Sequence, residues 1–434
     1  MPVLFYGLFL TFSAYAVFRC NRQEKAYHKP IFMQQLLSAF SRLRSYCERE
    51  GFRGWDPYDG LNSRLFQALP LLKRSALCRL VVIQGFKRSP VNLRRLALVP
   101  KEYNAKGIGL FLSGYCNLLR AVKARPELAR ELGTADELTR RIDELAQLLL
   151  SLRSPGYSGS CWGYNFDWQA RRLFLFPKGT PTVVATCFCA SALFDAYELT
   201  RREAYREAAV SAARFVLTDL HRSPAPGGFL FSYSPLPGND TVYNASLLGS
   251  KLLALCHRYG TADDCLAAAR SSVEACCQGQ AADGSWVYGL LPVQGWIDSF
   301  HTGYNLDALA TYEEATGDRS FHDAMERGFR FYVDHFFEPD GCPKYYHDHR
   351  WPVDIHCPGQ LFVTLSRLGR FEDHADLARR VLRWTLAHMQ SPRGYFYYQL
   401  KPGISSKIPY MRWSNAFMFN ALSHYILSLC KTTE

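Results

Sequence analysis

The residues best suited to acid and base chemistry form short clusters in loops and at helix starts. Asp298 and His301 are three positions apart, so one helical turn places both side chains on the same face. A carboxylate beside an imidazole orients the ring and charges it for proton transfer. Tyr304 follows at the same spacing. This segment is therefore the first candidate for a general acid and base.

Two other clusters have related chemistry. Asp354 and His356 repeat the pairing of an acid with an imidazole. Asp167 is the one acid in a run of glycines and large rings, 156–169, whose composition suits a wall on which sugars stack. The predicted catalytic residues are Asp167, Asp298, His301, Tyr304 and His356.

Rings and a cation accompany these acids. Arg412 offers a positive charge to a sugar carboxylate, and Trp413 offers a flat platform. The segment 55–62 adds two rings and two acids. The predicted substrate-binding residues are Trp55, Asp59, Trp162, Tyr164, Trp296, Tyr346, Arg412 and Trp413.

Most of these residues also have a structural alternative. An aspartate at a helix start is more often an N-cap than a catalyst, which applies to Asp56, Asp59 and Asp354. Arg412 alternatively caps a neighbouring helix. The histidines and aspartates of 347–356 are irregularly spaced for a metal site, so we predict neither a metal nor a cofactor.

A helical repeat must position these clusters. Units of about 55 to 75 residues combine a mostly apolar helix, a polar turn, an amphipathic helix and a Gly-aromatic loop. The apolar helices are predicted to start near Gly107, Pro181, Tyr243, Phe300, His356 and Arg412. The amphipathic helices are predicted at 134–152, 201–220, 262–277, 319–337 and 374–390, with one more before residue 100.

Six buried helices alternating with six amphipathic ones predict an all-α fold, an (α/α)6 toroid of inner and outer helices. Capping boxes are predicted at Thr134 with Glu137 and at Thr200 with Glu203. The connections from outer to inner helices, which hold the unusual residues, are expected to share one rim. Because no Pro, Gly or Ser-rich linker interrupts residues 33–434, we predict one barrel domain there.

Composition and charge narrow the class of protein. The chain has 434 residues, of which 48% are apolar and 21% are charged, and these proportions exclude a disordered, collagenous or multi-span membrane protein. Its net charge is +12. Between positions 19 and 101 there are 17 basic and 5 acidic residues, whereas the rest of the chain is balanced. This asymmetry predicts a local anionic partner, such as a membrane surface bound through residues 1–101, and we find no nucleic-acid motif.

The first 32 residues are expected to be an apolar and basic extension or a marginal membrane anchor. Residues 3–18 are nearly all apolar but short for a span, and basic residues follow them. Alternatively, this segment is a translated upstream extension and the folded protein begins near Met33. Most of the 14 cysteines lie among apolar helix residues of a chain too long to need disulfides, which favours a reducing cytoplasm, with residues 3–18 as a tether to the inner membrane. No C-x-x-C pair occurs, so a zinc ribbon or thioredoxin-type site has no support.

Four motifs resemble a group of bacterial and archaeal surface-polysaccharide biosynthesis proteins, some of them described as prenyltransferase-like. The motifs lie at 55–63, 156–169, 300–304 and 408–413. The resemblance implies a role with glycans. More remotely, the predicted toroid resembles glycosidases, uronyl epimerases and polysaccharide lyases of the six-hairpin type.

Isoprenoid chemistry is disfavoured. The segment 280–286 fits the Q-x-x-x-G-x-W repeat of triterpene cyclases, but that repeat is structural. The sequence contains neither D-x-D-D nor D-D-x-x-D, and Asp298 is followed by Ser299 and Phe300 instead of the Asp-x-Cys element of protein prenyltransferases.

The expected function is therefore that of a carbohydrate-active enzyme working on an acidic, uronate-containing oligosaccharide or lipid-linked glycan. Proton transfer like that of an epimerase is favoured, using His301, Tyr304 or His356. A glycoside hydrolase using Asp167 and Asp298, or a polysaccharide lyase, is the alternative on the same fold. A glycan-binding scaffold without catalysis is the third hypothesis.

Overall fold

A computed structural model describes residues 32–169, 175–238, 240–260 and 263–431. Its helices, in chain order, are α1 (32–49), α2 (Arg64–Gln67), α3 (Pro70–Arg74), α4 (Ala76–Arg88), α5 (Ala105–Ala124), α6 (Ala129–Leu132), α7 (Ala135–Ser151), α8 (Val183–Thr200), α9 (Glu203–Arg214), α10 (Tyr243–Gly260), α11 (Asp263–Gln278), α12 (Ser299–Thr316), α13 (His322–His335), α14 (His356–Arg367), α15 (Ala375–Met389) and α16 (Phe417–Lys431). The strands are β1 (Trp168–Gln169), β2 (Leu175–Phe176), β3 (Arg222–Ala225), β4 (Gly228–Phe231), β5 (Val353–Asp354) and β6 (Gln399–Leu400), which pair antiparallel as β1 with β2, β3 with β4 and β5 with β6.

Six helices form a closed inner ring. They are α5, α8, α10, α12, α14 and α16; each packs against the next, and α16 returns to α5. Their residues are small or apolar on nearly every side, so a helix such as α8 has no solvent face to offer. The other long helices lie outside and keep a polar face: in α7, for example, Leu138, Ile142, Leu145 and Leu149 face the core at helical spacing. The all-α toroid is confirmed.

The predicted helix starts agree with the structure to within a few residues. The last inner helix begins differently, because a π-helical turn, Met411–Ala416, precedes α16 and contains Arg412. The capping box of Thr134 and Glu137 is present. The box predicted at Thr200 is wrong, because Thr200 ends α8 and Arg202 is the N-cap of α9 without a side-chain hydrogen bond.

One rim of the toroid carries the long connections. Each runs from an outer helix to the start of the next inner helix, and the strand pairs lie within them. The longest is the crossover segment, residues 50–104, which contains α2, α3 and α4. Helix α4 packs beside β1, so the crossover segment extends over the same rim.

The expected N-terminal extension lies outside the described residues except for Phe32. The Phe32 ring lies 5.8 Å from that of Tyr425, so α1 joins the core from its first described residue. Among the described helices, Val183–Thr200 has the length and apolar character of a membrane span, but 61% of that window is buried as part of the inner ring. The proposed tether at 3–18 is not among the described residues.

Ring closure between α5 and α16 depends on a glycine. A Cβ at Gly114 would lie 2.5 Å from Cδ1 of the buried Phe419 ring. Gly114→Ala is therefore expected to lower the free energy of unfolding by about 1–3 kcal/mol through overpacking. Gly85→Ala in α4 is the matched control, because its Cβ meets no atom within 4 Å, and it should stabilise by up to about 1 kcal/mol. Urea unfolding checks both; equal effects would contradict this account of the packing.

Candidate active site

Asp298 is the N-cap of α12, and its carboxylate binds both the backbone and the ring of His301. Oδ1 accepts a hydrogen bond from the His301 backbone N–H at 3.0 Å, and Oδ2 lies 2.7 Å from His301 Nδ1. Trp296 donates its indole N–H to the same Oδ2 at 3.0 Å. The Asp298 side chain is fully buried, whereas that of His301 is 21% exposed. An Nδ1–H donated to this carboxylate leaves the lone pair on Nε2, the form of imidazole that accepts a proton.

His356 begins α14 as a buried imidazole enclosed by rings. Its centroid lies 3.8 Å from that of Phe417 and 4.3 Å from that of Trp413. Nδ1 has no hydrogen-bond partner among the described residues. Burial lowers the pKa of His356 well below its usual value, and the positive charges of Lys106 and Arg412 lower it further. The ring is therefore neutral at neutral pH.

Asp354 lies beside His356 but holds other partners. Its Oδ1 accepts hydrogen bonds from the Trp413 indole at 2.9 Å and from the His356 backbone N–H at 3.0 Å, and Oδ2 accepts one from Gln399 at 3.1 Å. His356 Nδ1 is 3.8 Å from Oδ1, too far for a good hydrogen bond. Burial raises the pKa of Asp354 to about 6 in spite of the three donors.

Lys106 is a functional candidate that the sequence analysis missed. Its Nζ donates a hydrogen bond to the Tyr304 hydroxyl at 3.3 Å and lies 4.0 Å from the Phe188 ring centroid. Burial lowers the pKa of Lys106 well below its usual value, and the charge of Arg412 adds to this effect. Burial holds the pKa of Tyr304 well above its usual value. The signal in the sequence was a lysine in the first turn of a helix that carries no other charge before Arg120, just after the Asn104 N-cap.

Arg412 forms a buried ion pair with Asp56. Two hydrogen bonds join them, from Nε to Oδ2 at 2.6 Å and from Nη2 to Oδ1 at 2.8 Å. The guanidinium carbon lies 5.1 Å from the ring centroids of both Tyr164 and Trp413. Arg412 thus fixes the crossover segment to the inner ring while its charge stays close to His356.

Asp59 also lies in a buried pair, away from the cluster around His356. Its Oδ1 accepts from Arg94 Nε at 2.6 Å, and its Oδ2 accepts from the Asp56 backbone N–H. Asp56 and Asp59 therefore brace the turn that carries Tyr58. Lys87 of α4 donates to the Tyr58 hydroxyl at 2.7 Å.

A cleft of about 170 Å³ opens beside this cluster, between α4 and the loops that carry β5 and β6. Aromatic, cationic and amide side chains share its walls. The lining residues are Tyr58, Gln84, Lys87, Arg88, Tyr345, Tyr346, Pro352, Asp354, Tyr398, Gln399, Lys401 and Trp413. Partial burial and the charges of Arg88 and Lys87 lower the pKa of Lys401, so the cleft has excess positive potential.

Several predicted residues meet at this rim. Trp296 stacks on Tyr288 with centroids 4.6 Å apart, and Tyr288 lies 4.7 Å from His301. The Tyr164 hydroxyl is 3.1 Å from that of Tyr233. The predicted residues Asp298, His301, Tyr304, His356, Arg412, Trp413, Trp296, Tyr164 and Tyr346 lie in this neighbourhood.

Besides Asp59, three predicted residues use their side chains in packing or in bracing a loop. Trp162 is fully buried and donates its indole N–H to the Leu149 carbonyl at 2.8 Å, so it belongs to the core. Trp55 packs in a small cluster and donates to the Val99 carbonyl. Asp167 accepts the Lys178 backbone N–H at 2.7 Å next to β1, as a loop-bracing carboxylate. Each of these contacts satisfies a local group, which residue type alone could not distinguish from ligand binding.

The arrangement as a whole combines a carboxylate-oriented base, a neutral buried imidazole, a protonated phenol and a cationic cleft. Within the described ranges there is no group of three or more His, Cys, Asp or Glu side chains that could hold a metal ion.

Solved structures share this fold. An unsaturated glucuronyl hydrolase from Bacillus sp. GL1 aligns with a TM-score of 0.55 at 12% identity, covering 90% of this chain and 96% of the other. A cellobiose 2-epimerase from Bacillus thermoamylovorans aligns with a TM-score of 0.54 at 11% identity over 76% and 89%. A family 76 α-mannanase from Bacteroides thetaiotaomicron aligns at 0.54 and 13% identity over 74% and 86%. No protein-family model and no curated protein sequence matches the chain.

Removing one member of the ion pair between Asp56 and Arg412 should be costly. Asp56→Ala leaves a buried guanidinium without its counter-charge, and the free energy of unfolding is expected to fall by about 3–5 kcal/mol. Glu144→Ala, which breaks the exposed pair with Arg141, is the matched control and should cost no more than about 1 kcal/mol. Urea unfolding measures both, and similar losses would contradict the structural weight given to the buried pair.

Asp354 should make stability depend on pH. Its folded-state pKa of about 6 lies above the ordinary 3.8, so the folded chain binds the proton more tightly and loses stability as pH rises between these values. Between pH 4 and 7, wild type should lose on the order of 2–3 kcal/mol relative to Asp354→Asn. Asp376→Asn removes an exposed carboxylate on α15 and is the control without this dependence. Urea unfolding at several pH values between 4 and 7 measures the difference in free energy of unfolding between wild type and Asp354→Asn. A difference that does not fall as pH rises would contradict the prediction.

Proposed function

We propose that this protein is a carbohydrate-active enzyme that moves a proton on an acidic, uronate-containing glycan, as an epimerase does. The observation that carries the proposal is the pair of Asp298 and His301. Asp298 forms a backbone bridge with Tyr346, which lines the tyrosine-rich, cationic cleft. The solved structures with this fold include a sugar epimerase and hydrolases by name, and we take from them only that such a toroid accommodates sugar chemistry.

The proposed base is His301. Its Nδ1 is held by Asp298, and the side chain is partly exposed while the carboxylate is buried. The carboxylate stabilises the imidazolium that forms when Nε2 takes a proton. The proton comes from the carbon next to the sugar carboxylate, and the electron pair of the broken C–H bond moves into that carboxylate as an enediolate.

The proposed acid is Tyr304. Its pKa is held well above the usual value by burial, so the phenol keeps its proton at neutral pH. Transfer of that proton from the Tyr304 hydroxyl to the opposite face of the same carbon inverts the centre. The phenolate left behind accepts a hydrogen bond from Lys106 Nζ and regains a proton from solvent, while the His301 imidazolium releases its own. His356, neutral and with Nδ1 unpaired among the described groups, is available to hydrogen-bond a sugar oxygen.

The proposed carboxylate site is the cationic side of the cleft. Lys87, Arg88 and Lys401 line it, and burial together with repulsion from Arg88 and Lys87 lowers the pKa of Lys401. A bound anion relieves this repulsion and also stabilises the negative charge of the enediolate. Arg412 contributes its positive charge to this site and not those two hydrogen bonds, because its Nε and Nη2 already donate to Asp56.

A glycoside hydrolase is the second candidate, favoured by Asp354. A carboxyl group with a pKa of about 6 resembles the general acid that such enzymes require. Against it, Asp298 is committed to His301, and Asp167 is committed to the Lys178 backbone. Proton transfer by an imidazole therefore accounts for more of the site.

We also propose a reducing cytoplasmic location and a glycan still attached to its lipid carrier. The described cysteines are all free thiols, and most are buried, as in a compartment where disulfides do not persist. The lipid carrier is suggested by the surface described in the next subsection.

Hydrogen exchange tests the chemistry directly. Purified protein is incubated with candidate uronate glycans in deuterated water, and label at the carbon beside the carboxylate is followed by NMR. We expect wild type to incorporate label and His301→Gln to lose about 100-fold or more of the rate. His322→Gln is the matched control, because His322 at the start of the outer helix α13 pairs with Glu313 near the end of α12, away from the rim that carries the site. Asp298→Asn should fall with His301→Gln.

Other outcomes identify the competing functions. New reducing ends without label would establish a hydrolase, and an ultraviolet-absorbing unsaturated product would establish a lyase. Tight glycan binding that survives His301→Gln, with no chemical change in the glycan, would establish the scaffold. Each of these results contradicts the epimerase proposal.

A further inference from the structure

Within the described part of the chain, the large apolar side chains that are exposed lie in the crossover segment and the long connections, at the rim that carries the candidate site. Ten of them lie in residues 64–98 of the crossover segment, which we name the docking face: Leu65, Leu69, Leu71, Leu72, Leu77, Val81, Val91, Leu93, Leu96 and Leu98. The other large exposed apolar residues of the described chain lie in the long connections of the same rim: Tyr157, Leu290, Leu291, Val293, Trp296, Trp351 and Ile404. Apolar patches of this extent mark an interaction surface.

The docking face is also strongly basic. Residues 64–98 contain no Asp or Glu and eight Lys or Arg. One of the eight, Arg94, is buried against Asp59. Lys73 and Arg74 are exposed next to the 81% exposed Leu71. The side chains that surround the apolar patch are therefore cations without acidic residues between them.

The helices α3 and α4 present their aliphatic side chains outward. In α4, Leu77 and Val81 are 71% and 61% exposed and lie one turn apart, while Ile83 is buried beneath them. Arg88 follows two turns after Val81 on the same side and lines the cleft. A soluble helix normally reverses this pattern, burying its aliphatic face and exposing its polar one.

The chemistry of the docking face selects its partner. A second copy of this chain would bring one basic, acid-free surface against another, and the charges would repel. Nucleic acid would engage the cations through its phosphates but would leave the exposed Leu and Val side chains without an apolar partner. Aliphatic side chains ringed by cations fit the interface of a bilayer that carries anionic lipids.

We propose that the docking face binds an anionic membrane surface and holds the open rim of the toroid against the lipid. Leu71, Leu77, Val81 and Leu96 enter the acyl boundary, and Lys73 and Arg74 contact headgroup phosphates. The cleft next to Arg88 then opens at headgroup level, where the sugar of a lipid-linked glycan lies. The proposal of membrane binding is argued only from the exposed side chains of the docking face, whereas the identity of the substrate as a lipid-linked glycan rests on the proposed function.

Vesicle sedimentation of the full chain tests the proposal. The probes are vesicles of phosphatidylcholine alone and of equal parts phosphatidylcholine and phosphatidylglycerol. We expect binding to the second kind only, and its loss at high salt.

Leu71→Asp with Leu77→Asp, and separately Lys73→Glu with Arg74→Glu, should each weaken binding about tenfold or more. Lys123→Glu with Arg330→Glu makes the same charge change at exposed positions of α5 and α13 and should bind as wild type does.

The outcomes are separable. Unchanged binding in both docking-face variants overturns the proposal, as does binding that is lost only when the apolar run 3–18 is made polar. The proposal is also overturned if wild type does not bind vesicles but forms a dimer that Leu71→Asp with Leu77→Asp converts to a monomer. That result would assign the docking face to a second copy of the chain. Deuterium exchange with a soluble glycan is measured on the same variants. If a docking-face variant no longer binds vesicles but still exchanges deuterium into the soluble glycan, the membrane surface and the catalytic site are separate, and each proposal is tested by its own measurement.

Discussion

The site depends on the buried ion pair between Asp56 and Arg412, which joins positions 356 residues apart. It ties the crossover segment to the π-helical turn of the last inner helix, and the Met411 backbone N–H bonds the Trp55 carbonyl beside it. This attachment places Tyr58 over Trp413 and brings α4 to the cleft. Two charges removed from water are stable only when paired this closely, so the contact permits one placement of the segment.

The same charges set the protonation of the centre. Arg412 and Lys106 stand close to His356, and a third positive charge in that dry space is unfavourable. The imidazole is therefore neutral, and the lysine amine shares in the depression of pKa. His301 has different surroundings, because its side chain is 21% exposed and its Nδ1 lies 2.7 Å from the Asp298 carboxylate. Two histidines close together in the fold are thus prepared for different tasks.

The rim combines the candidate chemistry with the most apolar part of the surface. Inner helices begin there, so their N-terminal side chains converge, and the long connections have room for rings and for the crossover segment. The described connections at the opposite end, such as 201–202 and 317–321, carry none of the candidate residues. In this toroid the paired helices form the core and stabilise the fold, whereas the loops at one rim carry the candidate site. The loop residues can therefore differ without changing the packing of the helices.

The sequence by itself determined the helical layers, because apolar periodicity and burial are local properties of each segment. It also determined the Asp298 and His301 pair, since a spacing of three residues on one helix leaves little freedom. Only the tertiary structure decided which aromatic and acidic residues face the cleft: Trp162 entered the core, Asp59 took Arg94, and Lys106 emerged beside Tyr304. These outcomes depend on partners far away in the chain, and residue type carries no record of which distant group will satisfy a buried charge or ring.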